Sequence, residues 1–387
     1  MKSIKMTGLI LELSFFNLAS QAQTWVETIA PDHDWQSIAV SANGSKVVAV
    51  ADNNNGKIGV IYTSTNSGTT WTSNNAPNLT WNCVASSADG NYLAANSYGG
   101  QIYTSSNAGS NWTESRTTGG LWAIASSADG TRLFAGGGLP LYISTNAGST
   151  WTTNSAPFSG CSSIACSANG SNLIAGTYSS GNVYISTNLG ASWTLATNVG
   201  INPAQWVSVA SSADGTILTA MGTSVYVSTN GGAKWTLSTS APQSTNAAFV
   251  ASSADGRLLA ASPVGPYDGV YISTNCGVTW NASGPPPNGG SLGCSGNGGV
   301  LLSSDYNGGI WTTEFPVVGP TISLLKAVEP QFSNLIIGAN YQLQVSGNLN
   351  TWTNQGIPFI ATNSMIMYPQ YFNVANWNQL YFRLIPE

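Results

Sequence analysis

Short stretches in which apolar and small residues alternate recur along the first three quarters of the chain, and a polar turn follows each one. In the first copy, residues 35–41 alternate in this way, and Asn43-Gly44 forms a hairpin turn because both residues tolerate a positive φ. Three further short strands follow, at 46–51 (KVVAVA), 57–63 (KIGVIYT) and 70–75 (TTWTSN). No helical periodicity appears, so the pattern predicts antiparallel β-structure throughout this region.

Two motifs alternate along the region with a period of about forty residues. One is a hairpin turn of the type Ser-Ala-Asp-Gly, whose glycines are Gly44, Gly90, Gly130, Gly170, Gly215, Gly256 and Gly298. The other is an octapeptide of the type STNAGSTW, found at 64–71, 105–112, 144–151, 186–193, 228–235 and 273–280. Four antiparallel strands per repeat predict the blade of a β-propeller.

The repeats predict how the ring closes. A seventh unit supplies only three strands, at 291–295, 299–304 and 308–314, and it lacks the octapeptide. Residues 24–31 (TWVETIAP) are similar to the strand that follows an octapeptide, so they would form the missing fourth strand and remove the open edges. We therefore predict an all-β fold with a seven-bladed β-propeller over 24–315; six- and eight-bladed rings are the alternatives.

The octapeptide resembles the Asp-box, or BNR repeat, with the pattern Ser-x-Asp-x-Gly-x-x-Trp. This repeat occurs in the propellers of sialidases, sortilin-type receptors, xyloglucan-specific endoglucanases and photosystem II assembly factors. The resemblance implies a turn between the third and fourth strands, on the face away from the usual active site.

Every copy departs from the Asp-box at one position. Asparagine replaces aspartate at Asn66, Asn107, Asn146, Asn188, Asn230 and Asn275. An amide oxygen accepts backbone N–H groups without charge, so we expect a structural turn and no calcium site. The tryptophans are expected to pack against these turns, at Trp71, Trp112, Trp151, Trp193, Trp235 and Trp280.

The N-terminus reads as a signal peptide over residues 1–22. Lys2 and Lys5 precede an apolar segment at 7–18, and Ser20-Gln21-Ala22 fits a cleavage site. Glu12 interrupts the apolar segment, so an N-terminus that stays attached, disordered or as a strand, is the alternative. The signal peptide predicts a secreted, periplasmic or cell-surface protein.

The composition changes after the repeats. Residues 316–320 contain two prolines and a glycine and are predicted to be a linker. Residues 321–387 contain five predicted strands and resemble small C-terminal β-sandwich modules of exported proteins from environmental bacteria.

Charge and composition narrow the partners. Charged residues make up 6% of the chain, the net charge is −5, and there is no basic run, so neither nucleic acid nor an anionic membrane is expected. No apolar run reaches the length of a transmembrane helix. Five scattered cysteines and one histidine, His33, follow no metal-ligand spacing, so no metal or cofactor is predicted. A monomer is expected.

An enzymatic activity is the less favoured hypothesis. A sialidase needs an arginine triad, which Arg116, Arg132, Arg257 and Arg383 are not placed to supply. A glycoside hydrolase needs two carboxyl groups, for which Asp34 and Asp268 in loops opposite the octapeptides are candidates.

Binding is better supported. Four tryptophans begin innermost strands and three tyrosines lie in nearby loops: Trp35, Trp81, Trp122, Trp206, Tyr98, Tyr178 and Tyr267. Aromatic rings among amides and hydroxyls suit sugars, although these tryptophans are also placed to fill the core between blades. The sequence therefore predicts a non-catalytic scaffold that binds an extracellular glycan or protein through the face opposite the octapeptides. An assembly factor like the photosystem propellers is less favoured because a basic patch is missing.

Overall fold

The computed structural model divides the chain into two compact units, Leu18–Val317 and the combination of Met1–Asn17 with Val318–Glu387. Within the first unit it describes residues 24–52, 59–138, 140–178, 180–197, 199, 208–244, 248–263, 269–284, 289–305 and 308–315. Within the second it describes residues 9–13, 322–328, 331–333, 336, 339–346, 350–360, 365–367, 372–373 and 381–386. The predicted linker at 316–320 and most of the predicted signal peptide lie outside these residues.

The described part of the first unit contains seven four-stranded antiparallel sheets and no helix. Strand β1 (Leu9–Leu13) belongs to the second unit, and β2 (Val26–Glu27) belongs to the seventh sheet. Sheet one contains β3 (Trp35–Val40), β4 (Val47–Ala51), β5 (Val60–Ser64) and β6 (Thr72–Ser73). Sheet two contains β7 (Trp81–Ser86), β8 (Leu93–Ser97), β9 (Gln101–Ser105) and β10 (Thr113–Thr117). Sheet three contains β11 (Leu121–Ser126), β12 (Leu133–Gly137), β13 (Leu141–Ser144) and β14 (Thr152–Asn154).

The remaining four sheets repeat this order. Sheet four contains β15 (Cys161–Cys166), β16 (Leu173–Thr177), β17 (Val183–Ser186) and β18 (Thr194–Leu195). Sheet five contains β19 (Ser208–Ser211), β20 (Leu218–Met221), β21 (Val225–Ser228) and β22 (Thr236–Leu237). Sheet six contains β23 (Ala248–Ser252), β24 (Leu259–Pro263), β25 (Tyr271–Ser273) and β26 (Asn281–Ala282). Sheet seven contains β27 (Gly289–Cys294), β28 (Val300–Asp305), β29 (Ile310–Glu314) and β2.

Burial follows the position of a strand in its sheet. Second strands such as β4, β8 and β16 are buried along their whole length, which suits their runs of valine, leucine, isoleucine and alanine. Outer strands such as β6, β18 and β22 are two residues long and exposed. Such short outer strands leave little unpaired edge for another chain to join.

The first strands of the sheets form a closed circle. Each contacts the first strand of the next sheet, and β27 contacts β3. Backbone hydrogen bonds link successive hairpin turns: Ala42 N–H to Ala88 O, Ala88 to Ala128, Ala128 to Ala168, Ala168 to Ala213, Ala213 to Ala254, and Ala254 to Gly296. The Asn297 N–H then donates to Ala42 O at 2.8 Å, which returns the series to its start.

The N-terminal segment completes the seventh sheet, in the position that the sequence predicts for it. Val26 pairs with Thr312 and Glu27 with Trp311. Trp25 is buried in the cluster that contains Phe315. Its indole nitrogen Nε1 donates to Ser283 Oγ of sheet six at 3.1 Å.

Each octapeptide forms a turn built on its serine and asparagine. In the first copy, Ser64 Oγ donates to Asn66 Oδ1 at 2.9 Å and accepts the Gly68 N–H at 3.0 Å. Asn66 Oδ1 also accepts the backbone N–H of Thr70 at 2.8 Å. The same three contacts recur in the other five copies. The uncharged asparagine therefore accepts the hydrogen bonds that stabilise this turn.

The octapeptide tryptophans contact the preceding sheet as well as their own turn. The indole nitrogens of Trp71, Trp151 and Trp280 donate to Thr28, Ser115 and Ser238 hydroxyls, respectively, at 2.7 to 3.2 Å. These hydroxyls belong to the outer part of the neighbouring sheet, so the motif fastens one sheet to the next.

The described residues of the second unit form three small antiparallel sheets. Its strands are β1, β30 (Ile322–Val328), β31 (Gln331–Ser333), β32 (Asn340–Ser346), β33 (Thr353–Ile360), β34 (Met365–Met367), β35 (Phe372–Asn373) and β36 (Tyr381–Pro386). The sheet orders are β1-β30-β35, β31-β34 and β33-β32-β36. The sequence predicts separate strands at 350–354 and 357–363, but the structure has the single strand β33, which pairs with β32 across a register shift.

Candidate binding site at the mouth of the central cavity

A cavity of about 620 Å³ lies inside the circle of first strands. All seven sheets contribute to its wall through β3, β7, β11, β15, β19, β23 and β27. The pairing between first and second strands shows which residues are equivalent from sheet to sheet. Ile38, Val84 and Ile124 are equivalent, because they pair with Ala49, Ala95 and Ala135, respectively. Three successive positions of each first strand can therefore be compared around the wall.

At one position of the wall, six of the seven sheets carry a small side chain and the remaining sheet carries a phenylalanine. This position holds Ser37, Cys83, Ala123, Ser163, Ser208, Phe249 and Ser291. Four of the serine oxygens accept a backbone N–H from the next sheet: Ser37 from Val84, Ser163 from Val209, Ser208 from Val250 and Ser291 from Ile38, at 3.1 to 3.2 Å. These bonds satisfy backbone donors at the inner edge of the sheets and join neighbouring sheets.

The next position outward carries amides and an aromatic ring. Gln36, Asn82, Trp122 and Ser162 occupy it in sheets one to four. Asn82 Nδ2 donates to the carbonyls of Leu121 and Trp122 at 3.2 and 3.0 Å. These side chains, with Tyr98 from the loop after β8, form a polar and aromatic mouth.

Aromatic rings gather on one side of this mouth. The rings of Trp122 and Tyr178 are nearly perpendicular, at 84°, with centroids 6.4 Å apart. Tyr98 is 57% exposed and Tyr178 is 38% exposed. Trp122 and Tyr178 therefore form one aromatic pair, and Tyr98 lines the same cavity as Trp122.

Trp35 and Trp81 differ from these three residues because they are buried, although Trp81 still contributes to the cavity wall. They are 2% and 0% exposed and pack between sheets, Trp81 with its ring centroid 5.5 Å from that of Tyr103. Their equivalents in sheets three and four are Leu121 and Cys161, as the pairing of Leu121 with Gly137 and Cys161 with Thr177 shows.

Trp122 stands one position further along its strand than Trp35 and Trp81. The pairing of β11 with β12 shifts register between Leu121 and Ala123, so Trp122 occupies a β-bulge, and its side chain lines the cavity. The predicted binding residues Trp206 and Tyr267 lie outside the described residues.

Asp34 is the predicted catalytic acid that the structure describes. Asp34 is 3% exposed, and its backbone carbonyl accepts Asp52 N–H at 3.3 Å and Gln36 Nε2 at 3.3 Å. Asp268 lies outside the described residues. Asp52 is the carboxylate in the described wall of the cavity, and its Oδ2 accepts Gln36 Nε2 at 3.1 Å.

Sequence reasoning did not single out Gln36 and Asn82, and it counted Asp52 only among several loop acids on the face opposite the octapeptides. The signal for the first two was present, because each follows a tryptophan that begins an innermost strand. Each lies at a register shift between its strand and the next, which leaves its side chain in the cavity wall.

The cysteines add no nucleophile or metal site. All five are free thiols. Burial raises the pKa of Cys161, Cys166 and Cys294 to about 12, and it also raises the pKa of Cys83 in the cavity wall. Protonated thiols are poor nucleophiles and ligands. Among the described residues, no group of three histidine, cysteine, aspartate or glutamate side chains is placed to hold a metal ion.

Four-stranded antiparallel sheets in a closed circle around a central cavity define a β-propeller. Within the described residues, no helix is long and apolar enough to cross a membrane.

Comparisons with solved structures agree with this class. YCF48 from Cyanidioschyzon merolae is 14% identical, with a TM-score of 0.57, over 75% of this chain and 98% of that chain. The Cps50 (Swd1) beta-propeller domain of Myceliophteria thermophila is 14% identical, with a TM-score of 0.59, over 76% and 99%. U3-55K is 11% identical, with a TM-score of 0.60, over 75% and 98%. No protein-family model and no curated protein matches the chain. At these identities the likeness establishes the fold alone.

Proposed function

We propose that the protein is an exported, non-catalytic interaction scaffold: a seven-bladed β-propeller of the Asp-box type with a C-terminal β-sandwich module, whose cavity mouth binds a glycan. The observation that carries this proposal is the aromatic corner of Trp122 and Tyr178, with the exposed Tyr98 on the same cavity. Export rests on the signal-like N-terminal segment alone, and the pairing of Leu9–Leu13 with β30 instead favours the alternative that this segment stays attached as a strand.

The chemistry of the mouth suits a sugar. Flat aromatic faces stack on the C–H groups of a pyranose ring, while amides and hydroxyls pair with its hydroxyl groups. Gln36, Asn82 and Ser162 supply such groups beside Trp122. A cavity of about 620 Å³ falls within the size range of small-molecule sites.

Hydrolysis is less well supported than binding. Cleavage of a glycosidic bond needs two carboxyl groups on opposite sides of the bond. Asp52 provides one carboxyl group in the described wall, and the buried Asp34 contacts it through its backbone. A glycoside hydrolase therefore remains the second hypothesis.

The proposal is tested with two tyrosines at opposite ends of one strand. Tyr98 follows β8 at the mouth, whereas Tyr92 precedes β8 beside the hairpin turn on the far face, and both are exposed. Once a glycan array has identified a ligand, we expect Tyr98→Ala to weaken its binding about tenfold, or ~1.4 kcal/mol, because a stacking surface is lost. Tyr92→Ala is the matched control and should leave the dissociation constant unchanged in isothermal titration calorimetry.

Three outcomes decide between the hypotheses. Equal losses in the two variants would place the ligand elsewhere than the mouth. An array without any bound glycan would contradict the proposal as a whole. Turnover of a bound oligosaccharide that disappears in Asp52→Asn would replace the scaffold with the hydrolase.

A further inference from the structure

The cationic side chains of the described ring unit lie away from the cavity mouth. Lys46, Arg132 and Arg257 follow the hairpin turns between first and second strands, and Lys234 belongs to an octapeptide. The two kinds of turn share one face, here called the turn face: Cys276 N–H of an octapeptide donates to Arg257 O at 3.2 Å, and the same contact recurs in the other sheets that carry an octapeptide.

The remaining described cation of this unit is held between sheets. The guanidinium carbon of Arg116 stands 4.7 Å from the ring centroid of Tyr142. Lys57 lies outside the described residues. The described wall of the cavity itself contains no lysine or arginine.

Carboxylates gather on the face that carries the mouth. Asp52 lies in the cavity wall and is 5% exposed. Asp34 is joined to it by the bond between Asp34 O and Asp52 N–H, and Asp32 is exposed in the same loop as Asp34. The described part of this face is therefore acidic, and a cationic ligand would approach it favourably.

The aromatic rings at the mouth favour the same sign of charge. The face of a tryptophan or tyrosine ring is negative and attracts ammonium groups placed over it. Trp122 and Tyr178 meet at 84°, so their faces bound a corner from two sides, and Tyr98 lies on the same cavity. Asp52 adds a carboxyl group to that cavity.

We propose that the mouth selects sugars that carry an ammonium group, such as glucosamine units, over neutral or acidic sugars. The proposal rests on the proposed glycan-binding function and names the class of sugar. In it, the aromatic corner holds the sugar ring and the ammonium group, and Asp52 supplies the charge that discriminates a protonated amine from an acetamide or a hydroxyl.

The test compares three β-1,4-linked hexasaccharides with the full-length protein: those of glucosamine, N-acetylglucosamine and glucose. They share linkage and ring form and differ mainly in the group at C2. At mildly acidic pH and about 20 mM salt, we expect the glucosamine hexamer to bind at least about tenfold more tightly than either neutral hexamer. Raising the salt to about 500 mM should reduce that preference, because screening weakens attraction between charges.

Two matched variants separate a specific role of Asp52 from a general charge effect. Asp52→Asn keeps the side-chain shape and an oxygen for Gln36, and it should remove most of the preference for the glucosamine hexamer. Asp89→Asn removes the same charge from the turn face and should leave the preference intact. Near-ultraviolet circular dichroism shows whether each variant is folded.

Every outcome has a defined meaning. Equal or tighter binding of a neutral hexamer, or array binding restricted to neutral or acidic glycans, overturns the ammonium proposal and leaves the glycan-binding function standing. A preference that survives in Asp52→Asn also overturns it, as does a preference that is lost equally in Asp52→Asn and Asp89→Asn. Absence of binding to all three hexamers and to every glycan of an array overturns both proposals.

Discussion

At the scale of single residues, each octapeptide relies on two successive left-handed backbone positions. Gly68 has φ of 89°, and the residue before it, Ser67, has φ of 57°. The second position is glycine in all six copies, while the first holds Ser67, Ala108, Ala147, Leu189, Gly231 or Cys276. A positive φ alone therefore does not explain the invariant glycine.

Space explains it. A Cβ built on Gly232 would meet Ile185 Cδ1 of the preceding sheet at 1.9 Å, whereas one on Gly231 has no heavy atom nearer than 3.7 Å. Across the six copies, a Cβ at the second position would lie 1.9 to 3.3 Å from a side-chain atom of the preceding sheet, so that side chain would have to move.

Neighbouring glycines in one octapeptide separate these two effects. We expect Gly231→Ala to cost about 1 kcal/mol or less, since only backbone strain is added. Gly232→Ala should cost about 3 kcal/mol, because the clash with Ile185 adds to similar strain. Urea unfolding of the two variants measures the difference, and equal losses would refute the steric explanation.

At the scale of the strands and sheets, the hydroxyl at the outer part of one sheet decides whether the next tryptophan is hydrogen-bonded. Ser115 and Ser238 accept the indole N–H of Trp151 and Trp280, and they donate to the carbonyls of Gly148 and Gly277. Ala196 occupies the equivalent place in sheet four. In the described structure, the buried indole nitrogen of Trp235, in sheet five, has no hydrogen-bond partner.

The missing hydrogen-bond acceptor for Trp235 predicts a stabilising substitution. Ala196→Ser should supply the missing acceptor for Trp235 and raise the free energy of unfolding by about 1 kcal/mol. Ala282→Ser, on the exposed outer strand of sheet six, is the control and should change stability little. Thermal and urea unfolding measure both, and an Ala196→Ser variant no more stable than the control would show that Trp235 gains nothing from the hydroxyl.

Strands and turns followed from the sequence because their signals are local. Alternating apolar residues and repeated Asn-Gly or Asp-Gly turns locate four strands per repeat, and the likeness of TWVETIAP to other outer strands placed β2 beside β29. The side on which a side chain lies is harder to derive, because it depends on register. Aligning the repeats on tryptophan put Trp122 with Trp35, whereas aligning them on the Ser-Ala-Asp-Gly turn would have put it with Gln36. The contact between the loops of Asp34 and Asp52 has no local signal at all.

At the scale of the whole molecule, the two faces of the ring differ in chemistry. The turn face carries repeated polar turns, with lysine and arginine interspersed among Asp89, Asp129, Asp214 and Asp255. The mouth face carries Asp52 and aromatic rings around the cavity. The repeated turns and the proposed binding site therefore lie on opposite faces, so variants of one face can be compared with variants of the other.

Three aspartates of the turn face should make the free energy of unfolding fall at acidic pH. Hydrogen bonds from Ser87, Ser127 and Ser212 hold the pKa of Asp89, Asp129 and Asp214 below the ordinary value of 3.8. A lowered folded-state pKa contributes stability that is fully present above pH 3.8 and is lost as the pH falls through the folded value.

Asparagine in the equivalent turns offers the comparison within the same chain. The side-chain oxygens of Asn43 and Asn169 carry no charge, yet they accept hydrogen bonds from the equivalent serine hydroxyl and backbone N–H of their own turns. The triple variant Asp89→Asn, Asp129→Asn and Asp214→Asn should therefore lose less stability than the natural chain between about pH 4 and pH 2. Urea unfolding across that range measures the slope, and parallel curves for the two proteins would contradict the prediction.

The backbone bonds between hairpin turns run from Ala42 around the ring and back to Ala42. A solenoid of stacked repeats has ends, so its lineage can lengthen or shorten by one unit at a time. A closed ring has no such end. An added repeat must break one contact between neighbouring sheets, form two new contacts and change the angle between all the other sheets. Insertion of a single repeat is therefore expected to destabilise the ring more than it would destabilise a solenoid.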